Sequence, residues 1–182
     1  MTPVSIRAAT PADIAEITRI YADAVKHGTA SFELEPPDEA EMLRRQAALA
    51  DAGYPYIVAE SIAESALGSA GKLLGYAYAG PYRARPAYRF SVEDSIYVDP
   101  AAQRRGVGRL LLARLIAEAE ARGFRQMIAV IGDSAQTASI ELHRKAGFRP
   151  IGTIENVGFK FGRWLDSVLM QRPLGAGATT AP

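Results

Sequence analysis

Residues 103–109 read QRRGVGR, and their glycines and arginines have the types and spacing of an anion-binding turn. The alternating apolar run SIYVDP precedes them and the apolar-periodic segment LLLARLIAEAEARG follows, which predicts a turn between a strand and a helix. A helix N-terminus presents unpaired N–H groups and a partial positive charge, and glycines let the backbone approach an anion closely. The segment therefore predicts a phosphate site, with a tight turn carrying solvated arginines as the alternative.

Three kinds of phosphate-binding turn can be compared with this segment. A Walker A loop ends in Gly-Lys-Ser/Thr, and no such ending follows Gly108. The dinucleotide fingerprint needs a third glycine or an alanine where this chain has Leu111, and an acidic residue at a later strand end. The acyl-coenzyme A pattern, Gln/Arg-x-x-Gly-x-Gly, is matched by Gln103, Gly106 and Gly108.

In the preceding strand Glu93 is the candidate base, and a second acid, Asp94, stands next to it. Strand alternation places Glu93 on the face of Ser95 and Tyr97 and Asp94 on the other face, so both cannot line one pocket without a bulge. A carboxylate with an ordinary pKa of about 4 is a poor base, so partial burial or a relaying water is needed. A surface carboxylate is the alternative interpretation of Glu93.

His143, Arg83 and Arg85 are the other side chains whose chemistry stands out. His143 lies on a predicted late helix and could donate a proton, and a packed helix histidine is the alternative. Arg83 and Arg85 alternate on an extended segment and could present guanidinium groups to a carboxylate. A solvated loop is the alternative for both arginines.

Strands and helices follow one another along most of the chain, and their mixed order predicts an α/β (α+β) fold. Such an order favours a single sheet with helices on both faces. Periodicity and turn residues predict strands at 4–7, 55–60, 72–80, 89–99, 125–133, about 148–155 and 164–171. They predict helices at about 10–28, 38–51, 106–122 and 137–147. Residues 61–71 read as a small-residue hairpin loop, residues 1–174 as one domain, and residues 175–182 as a disordered tail.

Composition narrows the class of protein further. The 182 residues carry a net charge of +1, which gives no overall field for nucleic acid or an anionic membrane. The chain has no cysteine, so disulfides, thiolate metal sites and cysteine nucleophiles are excluded. Its two histidines lie far apart in sequence, so a histidine-rich metal centre is not expected. No apolar run approaches the roughly 20 residues that span a bilayer, and no signal peptide is recognised. We expect a cytoplasmic protein.

One resemblance is carried jointly by five segments, at residues 29–36, 75–98, 103–108, 132–148 and 157–171. Together they resemble the GNAT N-acetyltransferases, and more narrowly their phosphinothricin and methionine sulfoximine acetyltransferase branch. The resemblance implies the GNAT fold with a mostly antiparallel sheet, acetyl-CoA as cosubstrate, no metal, and a homodimer. It also implies acetylation of the α-amino group of methionine sulfoximine, methionine sulfone or phosphinothricin, which confers resistance. The segments are TASFELEP (29–36), GYAYAGPYRARPAYRFSVEDSIYV (75–98), QRRGVG (103–108), GDSAQTASIELHRKAGF (132–148) and VGFKFGRWLDSVLMQ (157–171).

The resemblance also assigns residues to acetyl-CoA. It implies that the strand before the glycine turn splays, that its backbone pairs with the pantetheine arm, and that the N–H of Val98 polarises the thioester carbonyl. This chain has Gln136 where the branch commonly has an asparagine that holds the cofactor arm, so Ser139 is the expected substitute. The implied cofactor residues are Ile96, Tyr97, Val98, Arg104, Arg105, Gly106, Val107, Gly108, Arg109 and Ser139.

The same resemblance implies direct attack in a ternary complex. The family motif V-E-x-S-x-Y-V matches residues 92–98 and selects Glu93 as the base. His143 occupies the position where many members have a tyrosine that protonates the departing thiolate. Lys160 and Trp164 match a family segment that lies near the active site across a dimer interface. Trp164 is expected to pack against other side chains. The implied substrate residues are Phe32, Glu33, Arg83, Arg85, Tyr88 and Lys160.

Two other interpretations remain open. A GNAT enzyme could acetylate a polyamine, an aminoglycoside or a protein N-terminus, although the arginines of residues 83–89 disfavour a cationic acceptor. A non-catalytic acyl-CoA sensor would keep the glycine turn but would need neither Glu93 nor the arginine pair.

Overall fold

The computed structural model describes residues 3–62 and 71–182, which form a seven-stranded mixed sheet with helices on both faces. In spatial order the strands run β1-β2-β3-β4-β5-β7-β6. The strands are β1 Val4–Ala8, β2 Tyr56–Ser61, β3 Leu73–Pro81, β4 Ser91–Val98, β5 Gln126–Gly132, β6 Arg149–Lys160 and β7 Arg163–Pro173. The helices longer than one turn are α1 Ile14–His27, α2 Glu39–Asp51, α3 Val107–Ala121 and α4 Thr137–Lys145. The predicted fold class is confirmed.

β4 and β5 form the parallel pair of the sheet, and they stay together for only half of their length. Ser91–Asp94 pairs with Gln126–Ala129, after which no pairing joins the two strands. β4 nevertheless remains paired with β3 as far as Val98, and β5 with β7 as far as Gly132. The sheet therefore opens between the ends of β4 and β5, where unpaired backbone groups can bind an extended ligand.

Each face of the sheet has its own apolar core. Ile17 and Ile20 of α1 pack with Val58 and Tyr76 on one face, where all four side chains are buried. On the other face the buried side of α3 packs against the alternate residues of the same strands, such as Ala77 and Ala79. β4 lies between these two cores, so consecutive β4 side chains meet different environments.

Several boundaries differ from the sequence predictions. A short 3-10 turn at Pro86–Tyr88 delays the start of β4 to Ser91. The last two strands are longer than predicted because Phe161 and Gly162, with φ of 52° and 72°, turn the chain directly from β6 into β7. Phenylalanine rarely adopts a positive φ, so a two-residue Phe-Gly turn was not expected from the sequence.

Two predicted segments need separate mention. Residues 63–70 of the predicted hairpin loop lie outside the described residues. Residues 175–182 follow the buried Leu174, and Arg125 donates hydrogen bonds to the carbonyl oxygens of Gly177 and Ala181. The division into a domain and a disordered tail stays a prediction. Within the described ranges, no helix is both long and apolar enough to cross a bilayer.

Candidate active site

A cleft opens where β4 and β5 separate, and α4 borders it. The cleft brings together four residues predicted from the sequence, namely Ile96, Tyr97, Ser139 and His143. Val98 lies one residue further along β4, beside Gly108 of the glycine turn. The complete lining is Ala30, Asp94, Ser95, Ile96, Tyr97, Ala129, Val130, Ile131, Gly132, Gln136, Ser139 and His143.

The glycine turn lies at the N-terminus of α3, as the sequence predicts. Gly106 caps the helix with φ of 83°, a left-handed conformation that a side chain disfavours. The first N–H groups of α3 have no partner within the helix and carry the positive end of its dipole. Arg104, Arg105 and Arg109 form no ion pair with any other described residue. The turn therefore combines unpaired N–H donors with available guanidinium groups, which suits a pyrophosphate.

Glu93 lies half-buried on the face of β4 that packs against α1 and α2. Burial raises the pKa of its carboxyl, the charge of Asp94 raises it further, and Arg83 opposes these effects. A raised pKa brings a carboxylate closer to the strength that a general base needs near neutral pH. Its placement and electrostatics therefore fit the predicted base.

His143 lies on the opposite side of β4 and is held at both ring nitrogens. Nδ1 donates to the carbonyl oxygen of Ser139 at 2.7 Å, and Nε2 lies 2.9 Å from Oδ2 of Asp94. Both neighbours are acceptors, so this geometry fits a protonated imidazolium. Burial lowers the pKa of His143, but the hydrogen bond and charge of Asp94 raise it more, and the net shift is upward.

Asp94 has a place in the cleft that sequence reasoning did not assign to it, since Glu93 was the selected base. Its side chain is buried, lines the cleft, and leaves Oδ1 without a hydrogen-bond partner among the described residues. Alternation correctly separated Asp94 from Glu93, but nothing local indicated that His143, 49 residues away, lies on the same side. The two acids therefore serve different faces of one strand.

The predicted arginines lie on the exposed segment between β3 and β4. Arg83 packs over the ring of Tyr82, which contacts Tyr88 edge to face at 5.7 Å between ring centroids. Neither Arg83 nor Arg85 forms an ion pair within the part of the chain that the structure describes. The positive charge of Arg83 lowers the pKa of Glu93, against the larger effects of burial and of Asp94, so the guanidinium acts electrostatically on the candidate base.

The loop after α1 closes the other side of the cleft. Phe32 is partly exposed, and its ring lies so close to Gly132 and Gly158 that a Cβ on either glycine would meet it within 3 Å. Glu33 forms an ion pair with Arg45 at 2.6 Å. The predicted contacts Phe32 and Glu33 therefore belong to a structured wall beside Ala30.

The environments of Lys160 and Trp164 were not expected from the sequence. Lys160 is only 3% exposed, and its Nζ donates to the carbonyl oxygens of Gly28 and Ser31 at 2.9 and 2.7 Å. Its ammonium therefore faces the loop after α1. Trp164, expected to serve packing, is 61% exposed and contacts Phe159 edge to face.

Comparison with known proteins identifies the family. The model of the acetyltransferase (GNAT) family matches residues 15–148. This chain belongs to the GNAT acetyltransferase family. It is 54% identical to a phosphinothricin N-acetyltransferase from Alcaligenes faecalis, over 98% of this chain and 86% of the relative. It is 42% identical to an L-methionine sulfoximine/L-methionine sulfone acetyltransferase from Salmonella typhimurium, over 94% of this chain and 95% of the relative.

A solved GNAT structure has the same fold. The phosphinothricin acetyltransferase from Sinorhizobium meliloti, in complex with AcCoA, superimposes with a TM-score of 0.92 and is 48% identical. The match covers 100% of this chain and 94% of that one. The predictions of an N-acetyltransferase and of acetyl-CoA as cosubstrate are confirmed.

The residues of this GNAT acetyltransferase fit acetyl-CoA. The separated strands offer backbone groups to an extended arm, and the glycine turn offers N–H donors to phosphates. Gln136, which differs from the common asparagine, lines the cleft, and its Nε2 donates to Oγ1 of Thr29 at 2.9 Å. Gln136 therefore joins the cleft to the loop after α1, a contact that the sequence did not indicate. No cluster of metal-ligating side chains occurs in residues 3–62 and 71–182.

Proposed function

We propose that this enzyme acetylates the α-amino group of small amino acids such as methionine sulfoximine, methionine sulfone or phosphinothricin. The observation that carries the proposal is the half-buried Glu93 carboxyl, on which the charge of the exposed Arg83 acts. An α-amino acid has its carboxylate two bonds from its ammonium, so one acceptor can meet a guanidinium and a base together. The names of the relatives from Alcaligenes faecalis and Salmonella typhimurium support the same acceptor class.

In the proposed reaction β4 separates the two proton transfers. On the α1/α2 face, Glu93 removes a proton from the acceptor ammonium, and the free amine attacks the acetyl carbon in the gap between β4 and β5. The nitrogen–carbon bond forms as the carbon–sulfur bond breaks, and the nitrogen releases its second proton to water. On the other face, the proton held between Nε2 of His143 and Oδ2 of Asp94 is supplied to the departing sulfur. Direct attack is favoured because the chain has no cysteine for a thioester-linked acyl-enzyme.

Bound acetyl-CoA supplies an activated acetyl group, and this chain's residues hold it at two places. The glycine turn from Arg104 to Arg109 would bind the phosphates through N–H groups and guanidinium groups. Ile96 and Tyr97 would pair with the pantetheine arm, and the Val98 N–H would polarise the carbonyl. Ser139 would contact the arm from α4.

A cationic acceptor is disfavoured on electrostatic grounds. Arg83, Arg85 and Arg89 are exposed around the acceptor side and form no ion pairs within residues 3–62 and 71–182. A polyamine or an aminoglycoside would have to bring its own positive charges against them. A sensor without activity would have no use for Glu93 beside Arg83.

The acceptor assignment is tested by thiol release from acetyl-CoA. We expect turnover of the sulfoximine, sulfone or phosphinothricin and none of spermidine or an aminoglycoside. In Arg83→Gln the KM for the amino acid should rise about 10-fold to 100-fold, since a charge-assisted contact to its carboxylate is lost. Arg114→Gln, on the exposed side of α3, is the matched control and should behave as wild type. Turnover of cationic acceptors alone would overturn the assignment.

We also propose that the enzyme is a cytoplasmic homodimer. The location follows from its cosubstrate, since acetyl-CoA is a metabolite of the cell interior. The dimer is supported by an apolar row on the β6–β7 hairpin, where Val157, Phe159, Phe161 and Trp164 are all more than half exposed. Large contiguous apolar patches are uncommon on monomers and favour a self-complementary contact.

Light scattering tests the dimer. Wild type should have twice the mass of one chain, and Phe159→Glu should have the mass of a monomer because it places a charge in the apolar row. Leu43→Glu changes an exposed apolar residue on α2 and should leave the mass unchanged. A monomeric wild type would refute the proposal.

A further inference from the structure

Lys160 is a buried cation whose two hydrogen bonds are both made with the loop after α1, which we call the acceptor loop (residues 28–33). We propose that Lys160 is a positioning residue that fixes this loop and thereby determines the binding and selection of the acceptor. The proposal rests on the proposed function, because it takes the loop as one wall of the acceptor pocket. It concerns a side chain that touches the loop backbone and not the substrate.

The ammonium has no other evident purpose at this position. Its two hydrogen bonds run to Gly28 and Ser31, whose carbonyl oxygens accept no backbone N–H among the described residues. No carboxylate forms an ion pair with Lys160 in that part of the chain, although the charge of Glu33 acts on it and the Phe161 ring lies 5.0 Å away. A buried charge is costly unless polar groups satisfy it, so an apolar side chain would pack here more cheaply.

The two carbonyl groups lie at the beginning and near the end of the acceptor loop. One ammonium therefore holds both ends of the four-residue segment from Gly28 to Ser31. Burial lowers the pKa of Lys160 and the charge of Glu33 opposes the shift. A neutral amine would still have two N–H groups for the two carbonyls, so the clamp does not depend on one protonation state.

Other contacts hold the same loop from different directions. The hydroxyl groups of Tyr21 and Ser31 lie 2.9 Å apart, and Gln136 donates to Thr29. The ring of Phe32 fits against Gly132 and Gly158, where no side chain intervenes. Gly158 and Lys160 both belong to β6 and both point inward, so the same strand supports the loop at two points.

The position of the loop matters to both substrates but chiefly to the acceptor. Ala30 lines the cleft, and the next two residues include the predicted acceptor contacts Phe32 and Glu33. The charge of Glu33 reaches Tyr78 and Tyr97, which lie on the Glu93 face of the sheet. A loop released from Lys160 would therefore widen the acceptor side while the glycine turn stayed intact.

The test replaces Lys160 by methionine, which keeps the apolar stem and removes the ammonium. We expect the acceptor KM to rise about tenfold, while the KM for acetyl-CoA changes less than about twofold. Amide hydrogen exchange in residues 28–33 should become about tenfold faster with exchange elsewhere unchanged. Lys26→Met, an exposed lysine on α1, is the matched control and should match wild type in all three measurements.

A second variant tests the role of the loop independently, in case Lys160→Met does not fold. Gly158→Ala places a Cβ 2.4 Å from the Phe32 ring and should also raise the acceptor KM, since it displaces the loop without touching the lysine. If Lys160→Met alters only thermal stability, with exchange and both KM values as in wild type, the positioning role is wrong. If exchange rises in Lys160→Met but wild type acetylates no amino acid, the clamp stands and the proposed acceptor fails.

Discussion

Glu93→Gln should lower kcat/KM for the amino-acid acceptor by about 10²-fold to 10⁴-fold, the usual contribution of a general base. Glutamine has nearly the same size as glutamate but cannot accept a proton from the acceptor ammonium. Acetyl-CoA binding should stay within about twofold of wild type, because Glu93 is not among the residues that line the cleft. Steady-state kinetics and titration calorimetry measure the two quantities.

The dependence of the rate on pH provides a second test of Glu93 as the base. A base works only when deprotonated, so the wild-type rate should rise with pH as the Glu93 carboxyl loses its proton. Burial and Asp94 raise the pKa of that carboxyl, which moves the rise toward neutral pH. Glu93→Gln should lack this ascending limb, whereas Glu155→Gln, an exposed acid of β6, should keep it. An unchanged profile and rate in Glu93→Gln would remove Glu93 from the mechanism.

Local sequence rules predicted most of the elements that build this site. The helix predicted from about residue 10 begins with a capping box of Thr10 and Asp13 and with Pro11 in its first turn, and Asp38 caps α2 by accepting from the Glu41 N–H. The glycine turn and the helix after it are where the alternating and helical periodicities predict them. These features depend on residues a few positions apart, which is why the sequence alone suffices.

The features that sequence reasoning missed depend on distant residues that the fold brings together. His143 meets Asp94 only because α4 packs on the Asp94 side of β4. Lys160 points inward because β6 continues past Asn156, whose φ of 53° accompanies an irregular register with β7. That inward direction also leaves Phe159 and Phe161 on the outer surface, beside Trp164. One strand thus supports the acceptor loop and the proposed dimer surface.

Asp94→Asn should move the descending, alkaline limb of the kcat profile to lower pH by about one to three pH units. The proposed acid is the protonated His143, so activity falls as pH rises through its pKa. In wild type, Asp94 raises that pKa against the lowering effect of burial. Asparagine keeps the shape but removes the charge, so burial then dominates and the imidazolium loses its proton at lower pH.

Proton NMR can follow this shift directly, because the chain has two histidines and the other one serves as an internal control. His27 is 71% exposed and its ring contacts Asp23 of α1 rather than Asp94, so its resonance serves as the control in both proteins. The His143 resonance should titrate at lower pH in Asp94→Asn, and kcat should follow it. An identical His143 titration in both proteins would mean that Asp94 does not hold the imidazolium. A shifted titration with an unshifted kcat profile would mean that another group supplies the proton to the leaving sulfur.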